Sequence, residues 1–395
     1  MIPPLPSVSK AWNPFRVVPP RAQEDPLYGG GFCFWPEEYN EVVECSINMD
    51  FGIFTFGELS RDQTTGAALS PQQRLAEIIE LAKLADQAGI SFLGLGEHHR
   101  HDFALSAPEI VLAAIARETT NLRLSTAVTV LSTQDPVRLF EQFATLDLVS
   151  GGRAEIIAGR GAFLESYPLF GYDTADYDEL FDEKLRMLLE LRDNSTLSWK
   201  GVHTQTISGM DVAPRPLQGK LPLWVGVGGT PASFARAGRL GLPLFIALLS
   251  GPQRFRRLVE LYRHTAAEAG HDAAALPVGA GGHFYVAPTS QKARDTFYPY
   301  YRAYFEQNMP RPVDFFPRST FEDWSDPGGG LLVGSPQQVV EKILAIHEVL
   351  GNSRYMAQIG LGGLPFAETA RSIEILATEI MPAVRQELGV SSPAS

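Results

Sequence analysis

Four short stretches carry side chains that could do chemistry. The first is GLGEHHRHDF at 94–103, where Glu97, His98, His99, Arg100 and His101 set three imidazoles beside a carboxylate. Three readings suit it: a metal site, a histidine that handles a proton near neutral pH, or a polar loop satisfied by backbone and water. HExxH spacing is absent, and His203, His264, His271 and His347 fall in predicted helices or insertions, so metal is the weakest of the three; only His283 lies near a predicted strand end. The second stretch is Gly159-Arg160-Gly161, a guanidinium between two glycines that let the backbone turn sharply. Arg pairs bidentately with phosphate. The third, Gly226-Val227-Gly228-Gly229-Thr230-Pro231, is a glycine turn into a helix with Thr230 at the cap and Pro231 in the first turn. Such a terminus offers free N–H groups and the positive end of a dipole to an anion. Each of these two loops alone reads as a tight turn, but on neighbouring strands they suit one phosphate. The fourth is Ser125-Thr126-Ala127-Val128-Thr129, where a small residue would let a flat ring approach the backbone. By pattern alone it is an ordinary buried strand.

The elements that must position these stretches follow from periodicity. Short apolar runs at 51–56, 92–95, 122–131, 154–158, 223–227, 244–249, 278–286 and 355–359 read as strands, and amphipathic segments between them read as helices. Ser70-Pro71-Gln72-Gln73, Ser106-Ala107-Pro108-Glu109 and Ser335-Pro336-Gln337-Gln338 have the composition of helix starts with capping boxes. Eight βα units predict a closed (β/α)₈ TIM barrel rather than an open sheet, because the loop after the first strand lacks a glycine fingerprint. Insertions are expected after strands four and seven: a hairpin within 194–219 and an irregular stretch at 307–330 rich in Pro, Phe and Gly. Residues 1–48, Pro- and Gly-rich without helical period, read as a peripheral N-terminal extension, and 49–390 as the barrel domain. In such a barrel the chemistry lies at the C-terminal strand ends, where all four stretches fall.

Composition narrows the partners. A formal charge of -12 disfavours nucleic acid and anionic lipid, and no apolar run is long enough to span a membrane. Cys33 and Cys45 are the only cysteines. They suggest free thiols in a reducing, cytoplasmic setting.

The motifs GLGEHH (94–99), STAVTVL (125–131), PVRLFEQF (136–143), LDLVSGGR (146–153), GRG (159–161) and LPLWVGVGGT (221–230), taken in order, resemble bacterial luciferase-like flavin-dependent monooxygenases. The resemblance runs from about residue 49 to 388. It implies a barrel that takes reduced FMN from a separate flavin reductase, reacts it with O₂ through a C4a-(hydro)peroxyflavin, and oxygenates a small organic substrate. It implies His98 as the catalytic histidine, which Glu97 would orient. It implies Thr126 and an Ala127–Val128 cis peptide under the flavin ring, and Gly159, Arg160, Gly161, Gly228, Gly229 and Thr230 at the FMN phosphate. Gly228-Gly229 stands where light-emitting members carry Glu-Ser, and no reactive cysteine is matched, so light emission is not expected. The aromatics Phe315, Phe316, Phe321 and Trp324 suit a lid over a dry site. The same barrel also suits a deazaflavin-dependent dehydrogenase or a non-catalytic flavin-binding relative. Related barrels pair through the helices near strands two and three, which suggests a homodimer.

Overall fold

The computed structural model describes residues 49–308 and 315–389. The expectations for residues 1–48, including Cys33 and Cys45, lie outside them.

Eight parallel strands close on themselves: β1 (Asp50–Thr55), β2 (Phe92–Leu95), β3 (Arg123–Thr126), β4 (Ala154–Gly159), β5 (Leu223–Val227), β6 (Leu244–Leu248), β7 (Val278–Val286) and β8 (Arg354–Gln358). Each pairs with the next, and β8 returns to β1 with Asp50 opposite Arg354 and Phe54 opposite Gln358. Helices cover the outside, so the fold is the (β/α)₈ TIM barrel. Local chemistry sets the helix ends. Ser70 forms the full capping box with Gln73 at the start of helix Pro71–Gln87. Asp135 accepts the Arg138 N–H at the start of Pro136–Ser150, and Gly151, at φ 73, ends that helix in the left-handed conformation favoured by glycine. The box expected at Ser106 does not form. Ala107 is the cap residue, without a side-chain bond, and Glu109 is buried instead.

Alternation along the strands fills the barrel interior in layers. At the bottom, Arg354 lies between the rings of Phe92 and Trp224, 3.5 and 4.0 Å from their centroids, and pairs with Glu155 through two bonds of 2.7 and 3.1 Å. Above it Phe54, Phe92, Ile157, Trp224, Phe245 and Met356 form a dry plug. That plug is the floor on which the mouth is built.

Three expectations are corrected. The run at 122–131 is not one strand. It breaks at a cis peptide between Ala127 and Val128, and Thr129–Val130 then pairs separately with β4. The stretch at 307–330 is not irregular throughout. Helix Ser290–Asn308 enters it, and Arg318–Ser325 forms a further helix. Its aromatics have chosen their own core: Phe316 and Phe321 are buried against Tyr301, with Trp324 beside Phe316, while Phe315 is exposed. A short strand at Leu332–Gly334, which the apolar runs did not announce, adds to the end of β7. Strands Thr196–Trp199 and Ile207–Asp211 form an antiparallel hairpin.

Candidate active site

Glycines cluster at the strand ends that form the mouth. Val128 and Gly226 face the interior above the plug yet remain partly accessible, as do Phe56 and Ala247. The Val128 side chain explains two glycines: a Cβ built on Gly159 or Gly226 would lie 2.6 or 2.7 Å from it. Gly94 is bare for a related reason, since its Cβ would meet that of Ala127 at 2.6 Å. These glycines therefore make room for the cis segment, which in turn offers its surface to the mouth. Gly228 differs. Nothing lies within 4 Å of a Cβ there, and the residue is exposed.

Arg160 and the helix after β5 meet directly. Arg160 Nη2 donates to Ser233 Oγ at 2.9 Å, in the first turn of helix Pro231–Arg239, and Nη1 donates to Asp178 at 2.5 Å. Its guanidinium lies over the Tyr177 ring at 4.8 Å. The Tyr167 hydroxyl donates to the Arg160 carbonyl and the Tyr177 hydroxyl to that of Gly161, which fixes the turn. Thr230 takes the cap position, but its hydroxyl makes no capping bond. Gly229, at φ 120, adopts a conformation open to glycine, and Arg254 Nη2 lies 4.0 Å from its Cβ position. Among the described residues Arg254 has no carboxylate partner. Two cations, a helix start and a bare glycine thus share one corner, an arrangement that fits an anionic phosphate. Asp178, largely exposed, already holds one face of Arg160, so an anion would share or displace it.

Across the mouth, His98 is buried. Its ring stacks on Phe103 at 4.3 Å and meets Phe56 and Phe163 edge-on, each at 4.8 Å. Its backbone N–H is held by the Leu105 carbonyl. The expectation that Glu97 orients His98 is corrected. Glu97 turns to His99, 2.8 Å from its Nε2, and also accepts from Gln134 and from the Val130 N–H at 2.8 Å, which ties the second strand end to the cis segment. Glu165, from the loop after β4, is the partner of His98, with Oε1 3.4 Å from Nδ1 and 3.4 Å from the His99 N–H. Burial pushes the Glu165 carboxyl up, but the bonds from His98 and His99 outweigh it and hold it below the usual range. An ionised carboxylate only accepts, so Nδ1 carries the proton. His98 Nε2 has no protein partner among the described residues. Thr126 is fully buried, and its hydroxyl is spent inside, accepting from Thr129 at 2.8 Å and donating to the Ile157 carbonyl.

The structure therefore brings His98, Ala127, Val128, Arg160, Gly228 and Gly229 to one mouth. Sequence reasoning missed Ser233, Arg254 and Glu165. Ser233 stands in the first turn of a helix already singled out, so its position was a usable signal. Glu165 lies in a loop without periodicity and gave none. Among the described residues no group of three His, Cys, Asp or Glu side chains could hold a metal ion, and no helix is long and apolar enough to cross a membrane.

Residues 49–353 match the family model described as luciferase-like monooxygenase. The chain is 27% identical to the oxygenase component of the flavin-dependent trigonelline monooxygenase of Acinetobacter baylyi, over 85% of this chain and 95% of that one. Its fold matches the oxygenating constituent of 3,6-diketocamphane monooxygenase from Pseudomonas putida, solved with FMN, at a TM-score of 0.69 and 22% identity, over 85% and 99% of the two chains. It matches coenzyme F420-dependent tetrahydromethanopterin reductase from Methanopyrus kandleri at 0.65 and 19%, over 85% and 99%. The chain belongs to the luciferase-like monooxygenase family and is an oxidoreductase of that class.

Proposed function

We propose that this protein is the oxygenase of a two-component system, taking reduced FMN from a separate flavin reductase and using O₂ to oxygenate a small organic substrate. The observation that carries the reading is the hydrogen bond joining Arg160 to Ser233, which makes one phosphate corner of two loops at the same mouth as His98. The Acinetobacter relative is named an oxygenase component and the Pseudomonas structure contains FMN, which supports the choice of cofactor.

When bound, reduced FMN supplies the electrons that activate O₂ and the centre from which oxygen is transferred. The protein's part is to bind, orient and exclude water. Arg160, Arg254 and the free N–H groups of the turn at Gly228, Gly229 and Thr230 would hold the phosphate, with Gly159 and Gly161 letting Arg160 turn toward it. Ala127 and Val128, with Thr126 below, would support the ring. Phe56, Phe103 and Phe163 enclose His98 on three sides and keep water from it. Glu165 holds the proton on Nδ1, which leaves Nε2 as the atom that accepts, and when protonated donates, a proton during turnover.

A deazaflavin-dependent dehydrogenase is the second reading, favoured by the likeness to the Methanopyrus reductase. One experiment separates them: titrate the protein with FMN and with F420, then supply O₂ to the reduced complex. Micromolar FMN binding with O₂ consumption is expected. Binding of F420 alone, with no O₂ uptake, would overturn the proposal. We also propose a cytoplasmic homodimer, with residues 1–48 as a peripheral extension. Ile110, Leu148 and Val149 are exposed on helices Pro108–Glu118 and Pro136–Ser150, which supports pairing through that face.

A further inference from the structure

The phosphate corner contains one side chain of the wrong sign. Asp178 stands in the first turn of helix Tyr177–Asp193, with its Oδ1 2.5 Å from Arg160 Nη1. A carboxylate there repels the anion that Arg160, Arg254 and the turn before Pro231 attract. It can serve in one of two ways: to position Arg160, or to compete with the phosphate. The contacts of Arg160 decide between them. Nη2 donates to Ser233 Oγ at 2.9 Å, and the guanidinium rests over the Tyr177 ring at 4.8 Å. The hydroxyls of Tyr167 and Tyr177 donate to the carbonyls of Arg160 and Gly161. The arginine is therefore held in place without Asp178.

Asp178 itself is loosely held. Its side chain is 62% exposed, against 18% for that of Arg160, and among the described residues it makes no other side-chain hydrogen bond. An ion pair with one partner so open contributes little and breaks readily. A second cation also stands within reach. Arg236, in the last turn of helix Pro231–Arg239, has Nη2 3.7 Å from the same Asp178 oxygen, close enough for an ion pair and too far for a hydrogen bond. Its Nε lies 3.3 Å from Asp182. Asp178 thus sits between two guanidinium groups, bonded to one and near the other, and leaving Arg160 does not strand its charge.

We infer that Asp178 is a built-in competitor for the FMN phosphate, giving up Arg160 for Arg236 when the phosphate binds and so keeping the flavin exchangeable. The inference deepens, and rests on, the reading of this corner as a phosphate site. A flavin that arrives from a reductase and must leave again is better served by a grip that a carboxylate contests than by unopposed cations.

The test is titration of the full chain with oxidised FMN, with riboflavin, which has the ring without the phosphate, and with inorganic phosphate, at one pH and ionic strength. Asp178→Asn keeps the shape and removes the charge. It is expected to tighten FMN and inorganic phosphate about five- to tenfold and to leave riboflavin within about twofold. Asp178→Glu keeps the charge and should stay within about twofold of the parent for all three probes. Arg236→Gln removes the second partner. It should weaken FMN about threefold or more in the parent and by less than about twofold beside Asp178→Asn, a coupling that a merely structural role would not produce. FMN binding unchanged or weakened by Asp178→Asn, an equal gain for riboflavin, or an Arg236→Gln loss that is the same in both backgrounds would overturn the inference, while Arg160→Ala still weakens FMN. A parent that binds FMN and riboflavin alike, with Arg160→Ala silent, would sink the phosphate corner itself and the inference with it.

Discussion

Replacing Glu58 by Gln probes the electrostatics of the mouth through stability alone. Burial raises the Glu58 carboxyl from 4.5 to about 7, against the Gly362 hydrogen bond and the Arg74 charge, with Asp102 adding to the rise. The unfolded chain releases this proton near pH 4.5. Between there and about 7 the folded protein still holds a proton that the unfolded chain has lost. The stability carried by the protonated form is therefore complete below about 4.5, falls as the pH rises, and levels off above about 7. At roughly 1.4 kcal/mol for each tenfold step, the loss is about 3 kcal/mol. Gln matches the protonated acid in shape and does not titrate. Its carbonyl takes the Gly362 N–H and its amide stands where the carboxyl proton was. The variant and the parent should differ little at pH 5, and the variant should be more stable by about 3 kcal/mol at pH 8. For a folded body of roughly 340 residues, an unfolding entropy near 2 cal/mol/K per residue converts this to a rise in Tm of about 4 °C. Thermal melts at pH 5, 6, 7 and 8 and constant ionic strength measure it. Glu109, also raised to about 7 by burial, and His283, held down to about 4 by burial, titrate in both proteins and cancel in the difference. A gap that does not change with pH, or a variant weaker at pH 8, refutes the reasoning.

Arg160→Ala should weaken FMN binding by about ten- to a hundredfold in a fluorescence titration, the loss of a charge-assisted contact, and Ser233→Ala by only a few-fold. His98→Ala should lower turnover by a hundredfold or more at nearly unchanged FMN affinity, followed by O₂ uptake; Glu165→Ala should lower turnover about tenfold through loss of the proton on Nδ1, and a normal rate would show that the 3.4 Å contact does not matter. Gly226→Val would drive a side chain into Val128, so denaturant unfolding should register a loss of about 1–3 kcal/mol together with weaker flavin binding. Ile110→Glu should shift sedimentation from dimer toward monomer, and an unchanged sedimentation coefficient would exclude that helix face as the contact.

The sequence by itself determined the eight strands, because alternating apolar runs and amphipathic helices leave few other ways to bury both faces of a parallel sheet. It also singled out the Arg160 turn and the Gly228-Gly229 turn, which the structure brings to one corner, since an arginine between glycines and a glycine turn into a helix are local signals whose backbone consequences do not depend on distant contacts. Tertiary structure alone decided which carboxylate serves which histidine. Glu97 sits beside His98 in the chain, yet β2 geometry and the cis Ala127–Val128 segment turn it toward His99 and the Val130 N–H, and Glu165 arrives from 67 residues away to take His98. The same is true of Phe316 and Phe321, which read as lid residues until Tyr301 and Phe297 supply a core for them. Hydrogen bonds select partners by distance and direction in space, and chain neighbours fixed on a strand end often point apart.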